Sequence, residues 1–176
     1  MTARAEAANL MTEKSISGSG ATFDKSGRYR YKLWRQWDQA HPRITFVMLN
    51  PSAADAVHND QTISTCIRLS RRLNFGGIEV VNLFAYCTSD PRRLKQAANP
   101  VGKQNDQYIM ESAQATNMIL IAWGNHGELN HRHLEVLDLL LPLAIPTYCL
   151  GLTKRGQPRH PLYLPGDTPM LKWKSW

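Results

Sequence analysis

The sequence predicts an α/β three-layer sandwich with a central, mainly parallel sheet of about four strands. Three observations carry this. Four short apolar runs, ITFVML (44–49), IEVVNL (78–83), MILIAW (118–123) and PTYCL (146–150), recur along the chain. Each is continuously apolar and not alternating, which is the pattern of a strand covered on both faces. Helical stretches separate the runs, and strand–helix alternation implies parallel crossovers with helices on both sides of one sheet.

Residues 1–27 are rich in Ala, Ser, Thr and Gly, with SGSGA at 17–21, and read as a flexible N-terminal arm. Residues 28–176 read as a single α/β domain, long enough to bury a core. In GRYRYKLWRQW, 27–37, Tyr29, Tyr31 and Leu33 alternate with Arg28, Arg30 and Lys32, which predicts a half-buried strand with three positive charges on its polar face. After the first apolar run, Ile63, Cys66, Ile67, Ser70 and Leu73 share one helical face, with Arg68, Arg71 and Arg72 opposite and Gly76-Gly77 as the stop. Asp90-Pro91 reads as a cap with proline at the first helical position. A longer helix is expected over 102–115, and Asn130 is expected to cap a helix reaching Leu141.

Charge and cysteines narrow the class. Of 176 residues, 21 are Lys or Arg and 14 are Asp or Glu, a net charge of +7 that favours a polyanionic partner, nucleic acid above all. The three cysteines, Cys66, Cys87 and Cys149, are odd in number, widely spaced and without a CxxC pair. That argues against a disulfide framework or a zinc site and for a reducing, cytoplasmic setting. His131 and His133 diverge on a helix, so no metal site and no cofactor are expected. No apolar run is long enough to span a membrane, and the N-terminus lacks the apolar core of a signal peptide.

In open α/β sheets, ligands bind beyond the carboxyl ends of the strands. Here those ends carry Asn50-Pro51-Ser52, then Asn82 with Phe84 and Tyr86, then Trp123-Gly124-Asn125-His126, and finally the basic loop TKRGQPRHPLYLP, 153–165. An asparagine amide offers a donor and an acceptor together, the pattern that reads a nucleobase edge. Aromatic rings offer a stacking face for the same ligand. Asn50 is a candidate to hold a water or a base, against the alternative that it bonds its own turn. Ser52 borders the same site, although a helix N-cap role is favoured for it. Asp60, preferred over Asp55, is a candidate general base or an N-cap. Asn82 is the candidate base reader, with Phe84, Tyr86, Trp123, Gly124 and His126 as further ligand contacts. His160 is a candidate to stabilise developing negative charge or to contact phosphate. Lys154, Arg155 and Arg159, with Arg28, Arg30, Arg92 and Arg93, are candidates for a phosphate-contacting rim.

LNPS with AAD, then NDQT, VVNLFAY, IAWGNHG and GQPRHPLYLP, in this order over roughly residues 28–165, resemble Domain of Unknown Function 1643, a bacterial and phage family. More distantly, the strand ends resemble the uracil-DNA glycosylase superfamily. Its mismatch-specific branch carries Gly-Ile-Asn-Pro-Gly after strand one, where Met48-Leu49-Asn50-Pro51-Ser52 stands here. Ile121-Ala122-Trp123-Gly124 is similar to its Leu-Trp-Gly, and His160-Pro161-Leu162-Tyr163 to its His-Pro-Ser-Pro. The resemblance implies that Asn50 positions water, Asn82 reads the base and His160 stabilises the departing base. Met48 and Ser52 replace the two glycines of the early motif, and no Gln-Asp-Pro-Tyr occurs. The expected function is recognition of a nucleic-acid base or nucleotide, as a DNA glycosylase-like hydrolase acting on an unusual or modified base. The alternatives are a non-catalytic nucleotide- or DNA-binding protein of a phage–host system and an enzyme acting on free nucleotides.

Overall fold

The structure is a computed structural model that describes residues 18–173. One mixed sheet of seven strands forms its centre. The strands are β1 (Ser19–Phe23), β2 (Arg30–Gln36), β3 (Arg43–Met48), β4 (Gly77–Asn82), β5 (Ile119–Ile121), β6 (Thr147–Cys149) and β7 (Leu171–Lys172). They lie in the order β1-β2-β4-β3-β5-β6-β7. The four expected runs form the parallel centre, β4-β3-β5-β6. Three further strands enlarge the sheet beyond the expected four: β2 and β1 add antiparallel on one edge and β7 adds antiparallel on the other. Part of the expected arm is therefore structured, because Ser19–Phe23 pairs along β2. Residues 1–17 of that arm lie outside the described residues.

Among the described residues four α-helices cover the sheet: α1 (Gln61–Arg72), α2 (Pro91–Gln96), α3 (Asn105–Gln114) and α4 (Arg132–Leu140). Ile63, Cys66 and Leu69 of α1 pack with Ile44, Phe46, Met48, Ile78 and Val80 on one face of the sheet. Leu94 of α2, Ile109 and Ala113 of α3, and Val136 and Leu140 of α4 pack with Val47, Val81 and Ile121 on the other. The strands read as continuously apolar because both faces are buried. Asp60 caps α1 by accepting from the Ile63 N–H at 2.8 Å, and Asp90 caps α2 by accepting from the Arg92 N–H. The cap of the first helix is therefore Asp60 and not Ser52, which lies in the loop before it. Asn130 does not cap α4: the helix begins at Arg132, and Asn130 and His131 are both left-handed, at φ 54° and 56°.

The structure departs from the sequence pattern in two places. Gly76 and Gly77 lie past the end of α1 and open β4. A Cβ on Gly76 would sit 1.9 Å from the Asp38 carbonyl oxygen, so the backbone approach itself requires glycine. In β2 the pairing slips by one residue, with Thr22 opposite Lys32 and Phe23 opposite Arg30. Tyr31 is the extra residue, as in a β-bulge, and a bulge re-aims the side chains beside it. Tyr31 stacks on Tyr108 of α3 at 5.0 Å, whereas Leu33 packs with the α1 core. Arg30 is consequently buried, not part of a solvated basic face.

The core makes one quantitative demand. Phe46, fully buried between α1 and the sheet, is expected to cost about 3–5 kcal/mol on replacement by Ala, measured by urea unfolding. A loss below about 1 kcal/mol would mean the site collapses freely and the core is not packed as described.

Candidate functional site

The parallel pair β3–β4 ends in register, with Met48 opposite Asn82. Beyond it the two exits stay together: the Leu83 N–H donates to Met48 O, Phe84 N–H to Leu49 O, and Thr88 N–H to Pro51 O. The N-terminus of α1 faces the same level, and the loop at 160 closes it from the α1 side. Between them lies a cleft of about 180 Å³. Its polar lining is Arg30, Asn50, Ser52, Asp60, Asn82 and His160; Met48, Leu49 and Ile63 form an apolar wall, and Thr62, Thr88 and Ser89 add hydroxyl groups.

Asn82 is only 1% exposed, and neither its Nδ2 nor its Oδ1 has a partner among the described residues. Strand alternation sets it on the same face as Ile78 and Val80, towards α1. Its backbone is held from the opposite side. The Asn105 amide donates to the carbonyls of Asn82 and Leu83 at 2.9 and 3.0 Å, and Arg132 Nε donates to Leu83 O at 2.9 Å. The strand end is thus fixed while the Asn82 side chain is left unpaired. Leaving a buried polar group unsatisfied costs about 1–3 kcal/mol, and Asn82 places an unpaired donor and acceptor together in the cleft.

Asn50 has a fixed orientation. Its Nδ2 donates to Thr88 O at 2.7 Å, to Pro51 O at 3.0 Å and, longer, to Tyr86 O at 3.4 Å. All three partners are acceptors, which assigns the amide nitrogen to that side and turns Oδ1 away as an acceptor. The bonding to its own turn is therefore present, made by the nitrogen, while the oxygen points away from these carbonyls.

Asp60 uses Oδ1 as the α1 cap and lines the cleft as well. Asp55 is engaged locally, accepting from the Val57 and His58 amides and from the His58 ring. Those bonds, the His58 amide first, hold its carboxyl well below the usual range. His160 accepts from the Leu162 N–H through Nδ1 at 3.3 Å. That assigns the proton of the neutral ring to Nε2. Burial pushes the His160 pKa below its ordinary value, and the Asp60 carboxylate pulls in the opposite direction. The net direction keeps the ring neutral.

The other sequence-derived residues lie elsewhere. Phe84 and Trp123 are buried core residues, and Trp123 Nε1 donates to Gln157 Oε1. Tyr86 packs edge-on against Tyr29 at 5.8 Å. Gly124 (φ 68°) neighbours the cleft only indirectly, where a Cβ would lie 3.9 Å from His160 Cβ. His126 is exposed. Lys154, Arg155 and Arg159 are exposed on the 153–159 loop, with Arg155 ion-paired to Glu128. Arg30 is the cleft residue that strand alternation misplaces, because the bulge at Tyr31 is invisible in the sequence. Among the described residues no three His, Cys, Asp or Glu side chains gather as metal ligands, and no helix is long and apolar enough to cross a membrane. The three cysteines are free thiols, with burial raising the pKa of each.

A family model described as "Protein of unknown function (DUF1643)" matches residues 30–162, most of the chain. No curated protein and no solved structure matches it.

The cleft generates two expected outcomes. Asn82→Leu, close in volume, removes two orphaned polar atoms; unfolding stability in the ligand-free state is expected to hold or rise by on the order of 1 kcal/mol. A fall of that size would show instead that Asn82 stabilises the fold. His160 binds its proton less tightly in the fold than in the unfolded chain. Its contribution is therefore intact at higher pH and is lost as pH falls below about 6.5. Thermal melting from pH 8 to pH 5 is expected to show a decline that His160→Gln flattens; an identical decline in the variant would remove the assignment.

Proposed function

The chain belongs to the family described as Protein of unknown function (DUF1643), and from that starting point we propose that its cleft takes a nucleobase, as a DNA glycosylase-like hydrolase on an unusual or modified base. The observation that carries this is Asn82, a buried amide with both its donor and its acceptor unpaired inside a cleft. A base edge supplies the complementary acceptor and donor in one plane. The size of the cleft, about 180 Å³, agrees with a single ring system. It falls below the roughly 300–1,000 Å³ of pockets that enclose a drug-sized ligand. The sugar and any flanking strand then lie towards or beyond the mouth, so a base in a duplex must be flipped out to enter. The positive net charge of +7 supports a polyanionic partner.

The proposed chemistry uses the groups around that base. Asn50 Oδ1 accepts a hydrogen bond from a water and aims it at the sugar carbon. Asp60 accepts the water's proton as the water oxygen bonds to that carbon. The carbon–nitrogen bond breaks with its electron pair going to the base, and Nε2–H of neutral His160 donates to the departing base. A neutral histidine can fill this role because its Nε2 tautomer still carries an N–H to donate to the charge developing on the base. The distant resemblance to the uracil-DNA glycosylase superfamily assigns the same positions, Asn50, Asn82 and His160.

The test is a panel of single-stranded and duplex DNA carrying uracil, mismatches and hypermodified bases, with freed bases and abasic sites read by mass spectrometry. Asp60→Asn keeps an N-cap and is expected to slow release about 10²–10⁴-fold while binding persists. Binding is expected to weaken steeply with salt. No freed base from any substrate, with Asn50→Ala changing affinity alone, would leave a binding protein without catalysis.

A further inference from the structure

Arg30 is the buried cation of the cleft. It is 3% exposed, and its one side-chain hydrogen bond is from Nη1 to Ala54 O at 2.6 Å. Among the described residues its Nε is buried without a partner and no carboxylate forms a close ion pair with it; the Asp60 carboxylate acts on it only at longer range, and burial outweighs that attraction. The other buried arginines are furnished differently. Arg132 is ion-paired to Asp106 and Glu135, and Arg35 spreads over Asn59 Oδ1 and the carbonyls of Gly20, Trp34, Asp55 and His58. A guanidinium is always charged and has five N–H donors in a planar fork. Burying it with so few acceptors is unfavourable unless an anion enters.

The surroundings suit one. Arg30 lines the cleft beside the N-terminus of α1, a 12-residue helix with no acidic residue in its first turn. The first intrahelical bond runs from Ser64 N–H to Asp60 O, so the Gln61 and Thr62 amides precede it and have no intrahelical acceptor. Helix N-termini favour negative charge. Ser52, Thr62 and Ser89 add hydroxyl donors. Asp60 opposes an anion, and its presence favours a ligand with a single negative charge over one with two.

We propose that Arg30, together with the start of α1, forms a phosphate subsite, so that the ligand enters the cleft as a nucleotide with its phosphate on Arg30. This rests on the nucleobase reading for what occupies Asn82, but the phosphate contact is separately testable. The phosphate comes either from a free nucleotide or from the diester of a nucleic-acid strand.

The probe is inorganic phosphate, followed by calorimetry and thermal melting of the full chain in phosphate-free buffer. Wild type is expected to bind one phosphate and to melt higher with it. Arg30→Met is expected to melt no lower than wild type without phosphate, since it removes a buried unpaired charge, and to bind phosphate at least about tenfold more weakly. Arg30→Lys keeps the charge without the fork and is expected to fall between them, which keeps the test open if the Met variant folds poorly. Asp60→Asn is expected to bind phosphate more tightly, the reverse of its expected effect on catalysis. Competition separates the sources: displacement of phosphate by deoxynucleoside 5′-monophosphates alone assigns a free nucleotide, and displacement by a single-stranded oligonucleotide assigns a strand. Phosphate uptake that survives Asn82→Ala supports the subsite even if no base is recognised. No phosphate uptake by wild type, or equal uptake by Arg30→Met, would overturn it.

Discussion

The in-register ending of β3 and β4 is the constraint on which the rest of the site depends. Met48 stands opposite Asn82, so both chains leave the sheet at one level. Three backbone bonds then zip the exits together as far as Thr88 and Pro51. A one-residue slip would turn Asn82 to the other face, because side chains alternate along a strand. Asn105 and Arg132 guard against this from the far side by capturing the carbonyls of Asn82 and Leu83. The cleft is thus built largely by main-chain bonding, with a few side chains tying its strand ends and turns in place.

This construction has an energetic consequence. Asn82 and Arg30 Nε are among the buried polar atoms left without a partner in the described residues, and both residues line the cleft. Stability given up at a few buried groups is a common mark of a functional site, where the ligand supplies the missing partners. Some side chains serve both the scaffold and the cleft. Asn50 bonds the turn with its nitrogen, Asp60 caps α1 with Oδ1, and His160 holds Leu162 with Nδ1. Each is oriented by a bond from one atom and also lines the cleft, which gives a small site rigidity without a large supporting network.

Much of this was legible in the chain. The continuous apolar runs marked β3 to β6 because burial on both faces leaves no polar alternation. Asn50, Asp60, Asn82 and His160 stand out in the sequence as polar residues at or beyond the strand ends, and the tertiary structure gathers all four, with Ser52, around one cleft. Phe84 and Trp123 show the limit of position along the chain as a guide. Residues adjacent to a strand end fall inside or outside a pocket according to which face they take, and both rings face the core.

Local sequence determined the helix caps at Asp60 and Asp90, the buried strands and the polar residues at their ends, because each depends on interactions within a few residues. Tertiary structure alone decided the edge strands and the place of Arg30. β1 and β7 are strands only because β2 and β6 offer open edges to pair with. Arg30 belongs to an antiparallel strand whose beginning lies beside the carboxyl end of β4, where its N–H donates to Ala85 O. A bulge at Tyr31 then turns it under the loop at Ala54. Pairing partner and register are long-range properties, so a charge that reads as solvated in the chain becomes the buried cation of the cleft.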